Sequence, residues 1–109
     1  MAEPYLSDLS ELAAEWMRAD KRVGDLECKH FFSGAAVYRD GKIIASLTPV
    51  GLAFKVPDQV YGDLLSSGSA IPLRYFPNGP IKQNYVLFPT PETIDAEAAA
   101  RLVLGRPPT

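Results

Sequence analysis

Asp40-Gly41, set between Tyr38-Arg39 and Lys42-Ile43-Ile44, constrains this chain more than any other feature. A two-residue hairpin turn that matches the twist of its strands needs positive φ at both central positions, which Asp and Gly tolerate. The pair therefore predicts two antiparallel strands, and its surroundings extend them. Leu26, Cys28, His30 and Phe32 share one side of a first strand, which Ser33-Gly34 interrupts before Ala35-Ala36-Val37-Tyr38 begins a second. After the hairpin, Thr48-Pro49-Val50-Gly51 turns into Leu52-Ala53-Phe54-Lys55-Val56. Strands joined so tightly cannot be parallel, because a parallel pair needs a crossover of a dozen or more residues.

Helical periodicity flanks this meander. Leu6, Leu9, Leu12, Ala13, Trp16 and Met17 recur at helical spacing with Asp8, Glu11, Glu15 and Arg18 between them, and Ser7 is the expected N-cap. Pro57-Asp58 starts a second helix with Val60, Leu64 and Leu65 as its apolar stripe and Gly68 as its stop. Ile71, Leu73 and Tyr75 then alternate along a strand whose Pro72 favours an edge. Pro77-Asn78-Gly79-Pro80 makes a rigid turn, and a strand resumes over 84–88. Thr90 and Pro91 predict the cap and first position of a last helix that buries Ile94, Ala98, Leu102 and Val103.

The expected architecture is α+β: one two-layer domain over 1–109, core about 7–104, with an antiparallel sheet in the order α-β-β-β(-β)-α-β-β-α. Phe31-Phe32, Ile43-Ile44 and Tyr75-Phe76 are adjacent apolar pairs, whereas a strand with one wet face would alternate. The second face of the sheet is therefore expected to be covered, by a helix, a partner subunit or a ligand.

Charge narrows the functional classes. Eleven basic against thirteen acidic residues leave −2, and the halves 1–56 and 57–109 carry seven and eight, then four and five. Neither half has the basic excess of a nucleic-acid binder. A lone Cys28 forms no intramolecular disulfide, no basic leader opens the chain, and no apolar run approaches the roughly 20 residues of a membrane span. The expected setting is the cytoplasm, with no membrane partner.

Cys28 and His30 are the one pair of reactive types, and i, i+2 spacing puts them on one strand face. A nucleophile would further need a lowered thiol pKa and an oxyanion site. One cysteine and one histidine cannot supply a zinc set, and no strand leads through a glycine-rich turn into a helix. No catalytic, metal or cofactor residue is expected, and no enzyme.

Lys29-His30-Phe31-Phe32-Ser33-Gly34, the strand to Asp40-Gly41-Lys42, Leu52-Ala53-Phe54-Lys55-Val56, the 68–75 segment and Tyr85 together resemble the TfoX N-terminal domain family. That family is named for a bacterial regulator of competence genes, and the resemblance covers about 9–104. It departs at Phe31, where methionine is usual, and at Ser33, which replaces the first of two glycines. Phe32, Gly34, Gly41, Lys55, Tyr75 and Tyr85 match the pattern. The resemblance implies a secretion-chaperone-like two-layer fold, frequent dimers and no catalytic residue. The family's namesake carries a further helical, DNA-associated domain for which 109 residues are not expected to leave room, so competence control is not expected to carry over.

Of the matched residues, Phe32 and Tyr75 are expected in the core. Gly34 and Gly41 have backbone reasons, through close approach or positive φ. Lys55 points away from Leu52, Phe54 and Val56, where it reaches solvent, a dimer edge or an anion. The leading expectation is a non-enzymatic regulatory or protein-interaction module, homodimeric through the second sheet face, with an unidentified protein partner. An accessory transcription or nucleic-acid factor would need Lys21, Arg22, Lys29 and Arg39 on one surface. A small-molecule site would need a pocket at the open face near Tyr38, Tyr75 and Tyr85.

Overall fold

In the computed structural model, residues 3–76 and 78–108 are described; Met1, Ala2, Thr109 and the Pro77 of the expected rigid turn lie outside that part. Helix α1 spans Glu3–Ala19 and buries Leu9, Ala13 and Trp16, spaced i, i+4, i+7 along one stripe. Ser7 lies inside this helix and is not its cap. Pro4 extends the helix upstream, because a first-turn proline lacks only an N–H that had no partner there. A 3-10 turn at Lys21–Val23 follows, capped by the Asp20 side chain.

Six strands form one antiparallel sheet: β1 (Glu27–Phe31), β2 (Gly34–Arg39), β3 (Lys42–Thr48), β4 (Gly51–Lys55), β5 (Ile71–Leu73) and β6 (Lys82–Phe88), ordered β1-β2-β3-β4-β6-β5. The expected meander has four strands, and its hairpin turn is as the sequence requires, with Asp40 at φ 53° and Gly41 at φ 79°. Helix α2 (Asp58–Ser67) ends at Gly68, whose φ is 77°. The last helix, α3, spans Ala96–Val103 and starts later than expected. Thr90-Pro91 opens only a 3-10 turn, Pro91–Thr93, and the α3 cap is Asp95, whose Oδ1 accepts from the Ala98 N–H at 2.8 Å. An aspartate fits that position because its carboxylate meets the positive end of the helix dipole.

All three helices pack on one face of the sheet. Between the layers lie Trp16, Val37, Leu47, Leu52, Phe54, Val86, Phe88 and Leu102, all buried, with the Trp16 and Phe54 rings 5.2 Å apart. Pairing registers place Ala36, Ser46, Ala53 and Leu87 on the opposite face. These are buried as well. The covering expected of that face is a helix, a partner subunit or a ligand; the covering seen comes instead from a non-helical connection of the chain itself.

The covering begins at a break in the β5–β6 ladder, where the register jumps from Pro72↔Val86 to Leu73↔Lys82. Asn84 sits in the bulge at φ 67°. Its backbone carbonyl accepts from the Val56 N–H at 2.8 Å, and its side-chain amide donates to the Val56 carbonyl at 3.2 Å and to the Asp58 carboxylate at 2.6 Å. Arg74 Nη1 donates to the Gly79 carbonyl at 3.1 Å, closing the connection on itself. That connection carries Tyr75 onto Ala53, Leu73 and Leu87 and toward Phe31 and Phe32 at the end of β1.

Candidate functional site

The β1–β2 turn has Phe32 and Ser33 as its central residues, since Phe31 pairs with Gly34. Phe32 takes φ 49°, a conformation in which a bulky side chain is strained. The residue is 80% exposed. The expectation of a core phenylalanine on β1 is corrected here: the strand ends one residue earlier, and the turn points Phe32 outward. Gly34 is required by close approach, because a Cβ there would overlap the Leu47 carbonyl oxygen and lie 2.8 Å from Thr48 Cα.

Phe31, Phe32 and Tyr75 form a ring cluster, with centroids 4.4 Å apart for Phe31–Phe32, 6.1 Å for Phe31–Tyr75 and 6.0 Å for Phe32–Tyr75. Tyr75 is half-buried, so it belongs only partly to the core. Beside it opens a cleft of about 430 Å³ lined by Phe32, Ser33, Tyr75, Phe76, Pro80 and Lys82. Phe76 also walls a second, shallower cleft of about 490 Å³ with Ile71, Arg74 and Ile81. The exposed large apolar side chains Phe32, Ile71, Phe76 and Ile81 therefore all border these two clefts.

On the face away from the helices, Ser46 Oγ is buried with no hydrogen-bond partner. Burial pushes the Tyr75 phenol above its ordinary value, and Ser46 partly opposes this. Burial, with the phenols of Tyr75 and Tyr38, raises Tyr85 too. Tyr75 and Tyr85 pack on the same buried cluster, yet of the three tyrosines only Tyr75 lines the first cleft. Lys29 stands 5.3 Å from the centre of the Tyr38 ring, and exposed Lys55 pairs across the ladder with Tyr85.

Cys28 and His30 share a face of β1, opposite Val37 and Ala35. The thiol is half-buried, and burial raises its pKa, the reverse of what an activated nucleophile needs. Among the described residues, no group of three or more His, Cys, Asp or Glu side chains could hold a metal ion, and no helix is long and apolar enough to cross a membrane.

The basic residues do not gather. Arg39 donates to the Val23 carbonyl at 2.7 Å and to the Arg22 carbonyl at 3.2 Å, which brings it to the Lys21–Val23 turn, but Arg22 is engaged by Asp20 and Lys29 stands apart on the opposite face of the sheet. On the helix side, a groove of about 840 Å³ carries Asp8, Glu11, Glu15, Glu92 and Asp95 on its walls. Sequence reading missed this separation because it compared halves of the chain, not faces of the fold.

One family model, the TfoX N-terminal domain, matches residues 19–104. The chain belongs to the TfoX N-terminal domain family. The match takes in all six strands and leaves most of α1 outside. No curated protein and no solved structure matches the chain. Within this TfoX N-terminal domain, Gly34, Gly41 and Lys55 hold the positions the sequence assigned them, whereas Phe32 is a surface residue.

Proposed function

We propose that this TfoX N-terminal domain is a non-enzymatic regulatory module of the bacterial cytoplasm that acts through protein contacts, as a homodimer joined at the β5–β6 end of its open sheet face. The observation that carries this reading is the gathering of Ile71, Phe76 and Ile81 around one shallow cleft on the face away from the helices. Exposed apolar patches of this kind mark contact surfaces. Arg74, the charged residue in the lining, has its guanidinium tied to the Gly79 carbonyl, so two copies could meet there with little charge to strip of water. Light scattering after size-exclusion chromatography tests this: a dimer at micromolar concentration that Ile71→Glu converts to monomer supports it. A monomer at every concentration overturns it.

A second reading, small-molecule binding at the open face, is favoured by the aromatic cleft on the other side of Phe76. A nucleic-acid role gains no such support, because Lys21, Arg22, Lys29 and Arg39 do not form one surface.

A further inference from the structure

The cleft between Phe32 and Phe76 has walls fixed at the backbone. Phe32 is held outward by a two-residue turn at φ 49°, although glycine or asparagine would take that conformation with less strain. Backbone strain of this kind concentrates where surrounding structure imposes it for a use. Opposite, the Phe76 ring lies on Gly79, where an added Cβ would stand 2.9 Å from Phe76 Cε2, and the Gly79 N–H donates to the Phe76 carbonyl at 2.9 Å. Tyr75 forms the floor, backed by the Phe31 ring. At about 430 Å³ the cleft lies within the size range of small-molecule sites.

Its lining selects a chemistry. Three ring systems and a proline offer flat apolar surface, on which an aromatic ligand gains offset or edge-to-face contacts beyond simple burial. Rings alone could equally cage a quaternary ammonium. Among the described residues, however, Lys82 is the one charged residue in the lining, and no carboxylate accompanies it. A cation would be repelled and an anion held. Behind the floor, buried Ser46 Oγ remains unpartnered beside the Tyr75 hydroxyl.

We propose that this cleft binds a small flat aromatic anion, its ring against Tyr75 between Phe32 and Phe76 and its charged group on the Lys82 ammonium. The assignment rests on the small-molecule reading above and adds the ligand class. Amide-shift titration of the full chain with 1-naphthoate, uncharged 1-naphthalenemethanol and tetramethylammonium tests it. The expected result is shifts at Phe32, Ser33, Tyr75, Phe76 and Lys82, with naphthoate binding about tenfold tighter than the alcohol, a ratio equal to one well-placed charge contact. Lys82→Gln should bring naphthoate down to the level of the alcohol, and Phe32→Asn, which suits the turn, should weaken both while the other amides keep their positions. Equal binding of naphthoate and the alcohol, or tighter binding of tetramethylammonium, would overturn the anion class while leaving a small-molecule site in place. No binding by any of the three would overturn the site as well, and shifts on simple dilution of the protein at Phe32, Ser33 and Lys82, which lie outside the proposed dimer cleft, would give it to a second copy.

Discussion

The side-chain amide of Asn84 donates to the Asp58 carboxylate at 2.6 Å, fastening the bulge in β6 to the first turn of α2. Asn84 holds φ 67°, so one residue supplies both the left-handed backbone and the tie. Asn84→Ala should lose about 2 kcal/mol in urea unfolding, from backbone strain of about 1 kcal/mol and a charge-assisted hydrogen bond of similar worth. Asn84→Gly keeps the backbone and should lose only the second part. Equal losses in the two variants would show that the φ angle is not strained.

Gly34→Ala is expected to be among the most damaging single-methyl changes in the chain. The added carbon meets the backbone of Leu47 and Thr48, which belong to the centre of the sheet and cannot move aside. A loss on the order of 3 kcal/mol, the upper part of the range for overpacking, should appear in thermal and urea unfolding.

Ser46→Ala should do the opposite. Its hydroxyl is buried and unpartnered, so deleting it removes a desolvated polar atom and leaves a carbon that fits beside Ala36 and Ala53. A gain of about 1 kcal/mol is expected from chemical denaturation. A loss of that size would mean that the hydroxyl is bonded in solution.

These positions also mark how far the sequence could be read. Asp40-Gly41 and Gly68 were legible because the φ each needs is a local demand, met within a few residues. Lys55 was legible because strand alternation alone decides its side. Thr90-Pro91 misled because a 3-10 turn satisfies the same start signal, leaving Asp95 to cap α3. Phe32 and the cleft were hidden for a different reason. They depend on a register jump in β6 and on a connection that brings Tyr75 to β1 from the other end of the sheet, and no short window contains both partners.

The tyrosines offer a spectroscopic check. Burial favours the neutral phenols of Tyr75 and Tyr85, so both are raised in the folded protein. A group raised on folding contributes stability that is complete below its unfolded pKa and is lost as pH rises through the folded one. Ultraviolet titration should therefore show a late phase above pH ~10, the ordinary tyrosine value, which shrinks in Tyr75→Phe and Tyr85→Phe, with stability declining over the same interval. Unchanged late phases in both variants would refute the assignment.

At the acid end, hydrogen bonds from the Arg22 side chain and backbone N–H lower Asp20 from 3.8 to about 2. The sign is the reverse of the tyrosines: this contribution is complete above the unfolded value and is lost as pH falls through about 2. Carboxyl carbon shifts of Asp20 should titrate near that value, and Arg22→Gln should return the midpoint toward 3.8.

The two borders of the sheet carry a consequence for life at high concentration. One is the three-residue β5, where Pro72 has no N–H to give; the other is β1, with Glu27, Lys29 and His30 exposed along it. Short, proline-bearing and charged edges resist recruiting another strand. The two edges of this sheet therefore offer another sheet little backbone to pair with, and any contact between copies is left to side chains.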